Sequence, residues 1–142
     1  MHLRSYDPIP DGWLDPALGE RWAGIRQVRQ VVTTALEAAR NDGAIGASLQ
    51  AAPVVHVDAA GAELFAGEDA AALFITSDAQ ITTDAAPADA FRVEGIENAA
   101  VAFATADGGK CARCWKIMPE VTSEDGICCL LYTSPSPRDM SA

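Results

Sequence analysis

Between Asp15-Pro16 and Asn41-Asp42-Gly43 the large apolar residues recur at spacings of three and four without a break: Leu18, Trp22, Ile25, Val28, Val32, Leu36, then Ala39. A helical turn takes 3.6 residues, so these side chains line one stripe, and the spacing predicts a single long helix over 16–41. Asp15 supplies an N-cap acceptor, and Pro16 stands at the first helical position, where its missing N–H costs nothing. Asn41-Asp42-Gly43 stops the helix with residues that tolerate a left-handed backbone. Such a stripe must be covered. Trp22, Ile25, Val32 and Leu36 are expected either under a layer supplied by the rest of the chain or bare, where further bundle helices belong. Arg21, Arg26, Arg29 and Arg40 lie around the other faces, as a solvated surface or as contacts to phosphate. Upstream, MHLRSYDPIPDGWLD holds two prolines and a glycine and reads as an extended lead-in.

The covering layer is legible as short elements. Ile45-Gly46-Ala47-Ser48-Leu49 is a short apolar turn or the start of a second helix, ended by Pro53. Val54-Val55-His56-Val57, Leu73–Thr76, Gln80–Thr83, Phe91-Arg92-Val93 and Ala100–Ala104 read as strands, with an alanine-rich helix over 59–72 and a small-residue loop over 84–90. Helix and short strands together make an α+β pattern. A chain of 142 residues has room for one domain or two small ones, and the 49 % apolar fraction permits a core. Much of that fraction is alanine and aromatics are only 6 %, so the core is thin. His56 reads as a satisfied structural residue. There is no glycine-rich phosphate loop, no Ser/His/Asp arrangement and no paired-carboxylate motif.

Chemistry therefore rests on the four cysteines, all between 111 and 129. In Gly108-Gly109-Lys110-Cys111-Ala112-Arg113-Cys114-Trp115, the C-x-x-C turn directs two sulfurs at one point, half of a tetrahedral Zn²⁺ site. Lys110, Arg113 and Lys116 offset thiolate charge, and a basic knuckle can also meet a phosphate. Two alternatives stand beside the knuckle. A thioredoxin-like redox pair needs the motif at a helix N-terminus within a βαβ context, which Gly108-Gly109 before it and Met118-Pro119 after it do not supply. The other is a pair of unrelated buried thiols. A full ribbon needs a second C-x-x-C; Cys128 stands at a suitable distance, but its neighbour is Cys129, and adjacent sulfurs tend to point apart. The net charge of -10 argues against a non-specific coat on nucleic acid. With no apolar run near the roughly 20 residues of a membrane span and no signal peptide, the expected address is cytoplasmic.

Several of these segments carry a resemblance. Trp22-x-x-Ile25-Arg26-x-x-Arg29, Ala35-Leu36-Glu37-x-Ala39-Arg40 and Ile45-Gly46-x-Ser48-Leu49-x-Ala51 resemble the end of the anticodon-binding region of bacterial isoleucyl-tRNA synthetases. Leu73–Ser77, and Lys110-Cys111-x-Arg113-Cys114-Trp115-Lys116 followed by Pro119-Glu120-Val121, are similar to that family's C-terminal junction and zinc finger. The finger alone would be weak, since formamidopyrimidine-DNA glycosylases carry a related one, but order and spacing match over residues 1 to 128. The resemblance implies that 1–50 is the end of an anticodon-binding helical domain, 51–108 an α+β junction, and 109–128 the first knuckle of a zinc finger. It implies Cys111, Cys114 and Cys128 as zinc ligands, with no counterpart for the fourth.

Residues 129–142 read differently. Cys129 to Asp139 look like one reading frame of a transposon-type sequencing adaptor, with a genuine Ser/Pro-rich tail as the alternative, and Met1-His2-Leu3 resembles the family's Val-His-Leu. The expectation is a translated 3′ fragment with a non-native tail from Cys129. Such a knuckle leaves its fourth position to water or an acidic group, with 115–128 poorly ordered and Cys128 uncertain. The family is an aminoacyl-tRNA synthetase of protein biosynthesis, a ligase that activates isoleucine with ATP, charges its tRNA and edits mischarged valine; the parent is expected to be monomeric. The HIGH and KMSKS signatures do not occur in these residues, so the resemblance implies tRNA binding here, through Arg113, Lys116 and Lys110, and no catalysis. The rival reading is a free-standing zinc-ribbon protein that binds nucleic acid or a protein partner.

Overall fold

The computed structural model describes residues 10–124 and 126–128, and the predicted helix forms with its predicted ends. Helix α1 runs Pro16–Asn41, 26 residues, after a 3₁₀ turn at Asp11–Trp13 in what was expected to be extended chain. The Asp15 carboxylate accepts from the Leu18 N–H at 3.0 Å. Replacing Asp15 with alanine orphans that donor and is expected to lower stability by about 1 kcal/mol, read as the shift of a urea midpoint at unchanged slope. At the other end, the Ala44 N–H reaches the Ala39 carbonyl at 2.9 Å and the Gly43 N–H that of Arg40 at 3.0 Å. Gly43, at φ 77, makes this Schellman closure without steric cost.

The stripe is covered. Ile25, Val28, Val32, Leu36 and Ala39 are buried, joined by Val31 and Ala35. Trp22 packs half-buried at the edge, and Leu18 is exposed. The cover is a four-stranded sheet of β1 (Val54–Val57), β2 (Gln80–Thr82), β3 (Phe91–Val93) and β4 (Ile96–Ala102), in the order β2-β1-β4-β3. The β1–β2 pair is parallel, with Val55 opposite Ile81, while β1–β4 is antiparallel, with Val55 opposite Val101. Glu94-Gly95 turns β3 into β4, and Gly95 takes the positive φ of 85 that so short a hairpin demands. Alternation sends Val55, Val57, Ala99 and Val101 to the α1 side, so helix and sheet share one core. On the outer face His56 donates from Nδ1 to the Asp84 carbonyl at 3.1 Å, a structural bond as expected.

The connection from β1 to β2 departs from the sequence reading twice. The alanine-rich stretch is two helices, α2 (Ala59–Leu64) and α3 (Ala70–Phe74), divided around Gly67 at φ 80 and restarted by Asp69, whose carboxylate caps the Ala72 N–H at 3.0 Å. Leu73–Thr76, expected as a strand, ends α3 instead. Thr76 N–H bonds the Ala71 carbonyl at 3.0 Å, a Schellman closure with Ile75 in the left-handed position at φ 59. A β-branched residue is rare there. The turn swings the Phe74 ring inward onto Phe65, centroids 5.6 Å apart.

Two helix arginines also have partners other than water or phosphate. Arg21 donates to the Leu64 and Ala66 carbonyls, both at 3.1 Å, and pairs with Glu68 at 2.9 Å. Arg29 donates to the Leu73 carbonyl at 2.9 Å. These carbonyls lie at the C-terminal ends of α2 and α3, where helix carbonyls lack internal partners and positive charge is favoured. Arg40 pairs with Glu37, and Arg26 is exposed. Residues 1–9, 125 and 129–142, the last expected as a non-native tail, lie outside the described residues.

Candidate metal centre and its basic rim

After β4 the chain runs beside residues 50–52, with Ala52 N–H on the Ala104 carbonyl and Ala106 N–H on that of Gln50, both 2.8 Å. It then folds into a separate small hairpin, β5 (Gly109–Lys110) against β6 (Ile117–Met118), with the C-x-x-C turn between the strands. Glycine is needed at the entry. A Cβ on Gly109 would fall on the Val121 carbonyl oxygen, and one on Gly108, at φ 118, on the Met118–Pro119 backbone. The turn closes through Cys111 N–H to the Lys116 carbonyl at 2.9 Å and Trp115 N–H to the Cys111 carbonyl at 3.0 Å. The returning strand of chain is held by Ala112 N–H on the Gly126 carbonyl at 3.0 Å.

That return brings in Cys128. The sulfurs of Cys111, Cys114 and Cys128 all lie within 4.8 Å of one another, with Cys114 and Cys128 at 3.5 Å. Thiolates on a tetrahedral zinc at 2.3 Å stand about 3.8 Å apart, so the spacing suits that ion. Cys111 and Cys128 are fully buried, packed with Val121 and edged by Met118 and Cys114. The sequence left Cys128 uncertain; a bond from the Cys128 N–H to the Cys111 sulfur, 3.5 Å, brings the third cysteine beside the first, and both pack with Val121. Cys129, expected to point away, lies outside the described residues.

The thiols are not equivalent. Burial pushes the Cys111 thiol up, but the N–H groups of Cys114, Cys128 and Arg113 more than offset it, holding the group at about 6 against an ordinary 9.0. Burial also pushes Cys114 up, and with the neighbouring sulfurs outweighs the Lys116 N–H, raising it to about 11. One thiolate is thus ready at neutral pH and its neighbour is not. The knuckle lies in a hairpin rather than at a helix N-terminus, the context a redox pair needs. None of the three cysteines is in a disulfide.

Around this centre stand the predicted cations. Lys110 and Arg113 are exposed and Lys116 is half-buried. The Lys110 ammonium sits 5.2 Å from the centroid of the Trp115 ring. Sequence reasoning missed Ser77, whose hydroxyl donates to the Leu49 carbonyl at 2.5 Å and accepts from the Ile117 N–H at 2.6 Å. It fastens the knuckle to the helix–sheet layer. No periodicity or spacing marks such a residue, because its partners are 28 and 40 positions away.

No family model matches the chain. It is 41 % identical over 145 residues to the isoleucine–tRNA ligase of Agrobacterium fabrum, an alignment taking in 100 % of this chain and 14 % of that protein. It is 47 % identical over 131 residues to the isoleucine–tRNA ligase of Ruegeria pomeroyi, covering 90 % of this chain, again against 14 % of the relative. With the isoleucine–tRNA ligase of Bartonella henselae it shares 41 % over 143 residues, and the coverage is likewise 100 % and 14 %.

Proposed function

Because the chain belongs to the isoleucine–tRNA ligase family and spans only 14 % of the length of the relatives it matches, we infer that it is the C-terminal, tRNA-facing portion of such an enzyme. In this reading residues 1–50 end the anticodon-binding helical domain, 51–108 form the junction, and 109–128 hold zinc. Cys111, Cys114 and Cys128 ligate the ion, and its fourth position falls to another group. Lys110, Arg113 and Lys116 contact tRNA phosphates. ATP, isoleucine and the charging reaction belong to the rest of the enzyme, and this portion contributes binding and no catalytic group. The same reading makes the enzyme cytoplasmic and monomeric; no helix among the described residues is long and apolar enough to cross a membrane.

The observation that carries the reading is the convergence of three sulfurs beneath a run of cations in a chain whose net charge is -10. Zinc-held turns of this kind fix a basic surface that would otherwise scatter, since the energy of metal binding is also folding energy. The test is charge reversal, Arg113→Glu with Lys116→Glu, in an intact enzyme carrying this segment. Affinity for tRNA is expected to fall, and the slope of log K against log salt to flatten by roughly 0.7–0.9 for each phosphate no longer neutralised. An unaltered slope would mean that these residues do not meet phosphate.

A further inference from the structure

Two of the three sulfurs are placed for a reaction that metal binding does not use. Cys114 and Cys128 stand 3.5 Å apart, sulfur to sulfur, and a disulfide needs about 2.05 Å, so a movement of about 1.5 Å joins them. The two ends of that gap differ in freedom. Cys128 is fully buried against Val121, and its N–H is tied to the Cys111 sulfur at 3.5 Å. Cys114 is partly exposed and sits in the turn of the knuckle, between the exposed Arg113 and Trp115, the latter 61 % exposed. Solvent therefore reaches the Cys114 sulfur, and the turn that carries it can shift while the buried pair stays in place. Cys111 is shielded on both counts. It is fully buried, and the N–H groups of Cys114 and Cys128 both point at its sulfur, 3.5 Å each.

We propose that Cys114 and Cys128 are a peroxide-sensitive pair, which a hydroperoxide closes to a disulfide, expelling zinc and loosening the basic turn. The expulsion rests on the zinc-binding reading above; the bridge rests on the sulfur geometry alone. A zinc ligand is held as thiolate, which is also the form that attacks peroxide. With hydrogen peroxide, the Cys114 sulfur takes one oxygen as the O–O bond breaks, giving a sulfenic acid and hydroxide. The Cys128 thiolate then attacks that sulfur, forming the S–S bond and releasing the sulfenic oxygen as a second hydroxide. Each sulfur gives up one electron, and both electrons end on the peroxide oxygens. Of the three gathered sulfurs Cys111 alone remains a ligand, too few to hold a structural zinc. A dithiol reductant reopens the bridge by exchange, and the knuckle can reload.

The test adds hydrogen peroxide to the zinc-loaded 142-residue chain carrying Cys129→Ser, so that the bridge has a single assignment. Zinc release, read with a chromophoric chelator, is expected to keep pace with a mass loss of the two thiol hydrogens. Peptide mapping should join Cys114 to Cys128 and leave Cys111 open to alkylation, and a dithiol with fresh zinc should restore the starting state. Adding Cys128→Ser, at saturating zinc, stops the reaction after its first step. A cyclic dione that traps sulfenic acid should then label Cys114 at least about tenfold more than in the chain that keeps Cys128. A bridge through Cys111, oxidation of Cys114 to sulfinic acid with no bridge, or thiols that stay reduced overturns the proposal. Zinc retained by a bridged chain overturns the expulsion alone. A reduced chain that takes up no zinc overturns the metal-binding reading and the expulsion with it, and the mapping still decides the bridge.

Discussion

Replacing Cys111 with serine is expected to strip the knuckle of zinc. The Cys111 sulfur is buried and accepts from the N–H groups of both Cys114 and Cys128, each at 3.5 Å. On the zinc-binding reading it is a ligand, and it is also the point on which the third cysteine is anchored. Structural zinc binds with about 10–16 kcal/mol spread over its ligands, so one thiolate carries about 3 kcal/mol, or roughly two decades of affinity. Competition with a chromophoric chelator measures this. Cys128→Ser should cost about as much, and wild-type affinity in that variant would remove Cys128 from the ligand set. The pH dependence has a definite sign. Ligands must be deprotonated, so affinity falls as pH falls. At pH 7 Cys111, held at about 6, is already a thiolate and contributes no proton, whereas Cys114, held at about 11, must release one. Below pH 6 the metal must displace a proton from Cys111 as well, and the decline steepens. Proton release measured in two buffers of different ionisation enthalpy reads this directly.

Phe74→Ala is expected to be the most damaging change in the main core, at about 3–5 kcal/mol. The ring is 1 % exposed and leans on Phe65 at an interplanar angle of 57°. Ala70, Ala71 and Ala72 beside it have no side chain long enough to move into the space, which places the cost in the upper part of that range. Domains are stable by only about 5–15 kcal/mol, so the urea midpoint should fall by about a fifth or more. Zinc affinity should fall far less than stability, because the sulfurs belong to a different cluster, with Val121 and Met118. A destabilisation below about 1 kcal/mol would mean that the Phe74 site collapses on mutation.

What could be read from residues alone follows from how far each signal reaches. Helix α1 was legible because 26 residues repeat one period between local caps, whereas β4, expected over 100–104, begins at Ile96 directly after the Glu94-Gly95 turn, where Glu97 and Asn98 hide the strand pattern. Leu73–Thr76 was not legible, since a short apolar run with Ile and Thr fits a buried strand as well as a helix end. Asp69, capping from four residues upstream of Leu73, decides the matter. Arg21 and Arg29 were open to a solvated reading because the carbonyls they meet belong to helices more than 40 residues away. At the candidate site, Cys111 and Cys114 announce themselves by spacing. Cys128 needed the family resemblance, since its approach depends on a path through Val121 and Gly126 that no spacing rule encodes.

The hydroxyl of Ser77 has one hydrogen, and it is committed to Leu49, so its lone pair faces Ile117. Each bond fixes the rotor that the other requires. Whatever steadies the knuckle around Ile117 must then steady the segment around Leu49 by the same free energy, and the reverse holds with equal size. Loading the sulfurs with metal should consequently slow amide exchange on both sides of this joint. A chain with two separate cores thereby gains a common clock for opening.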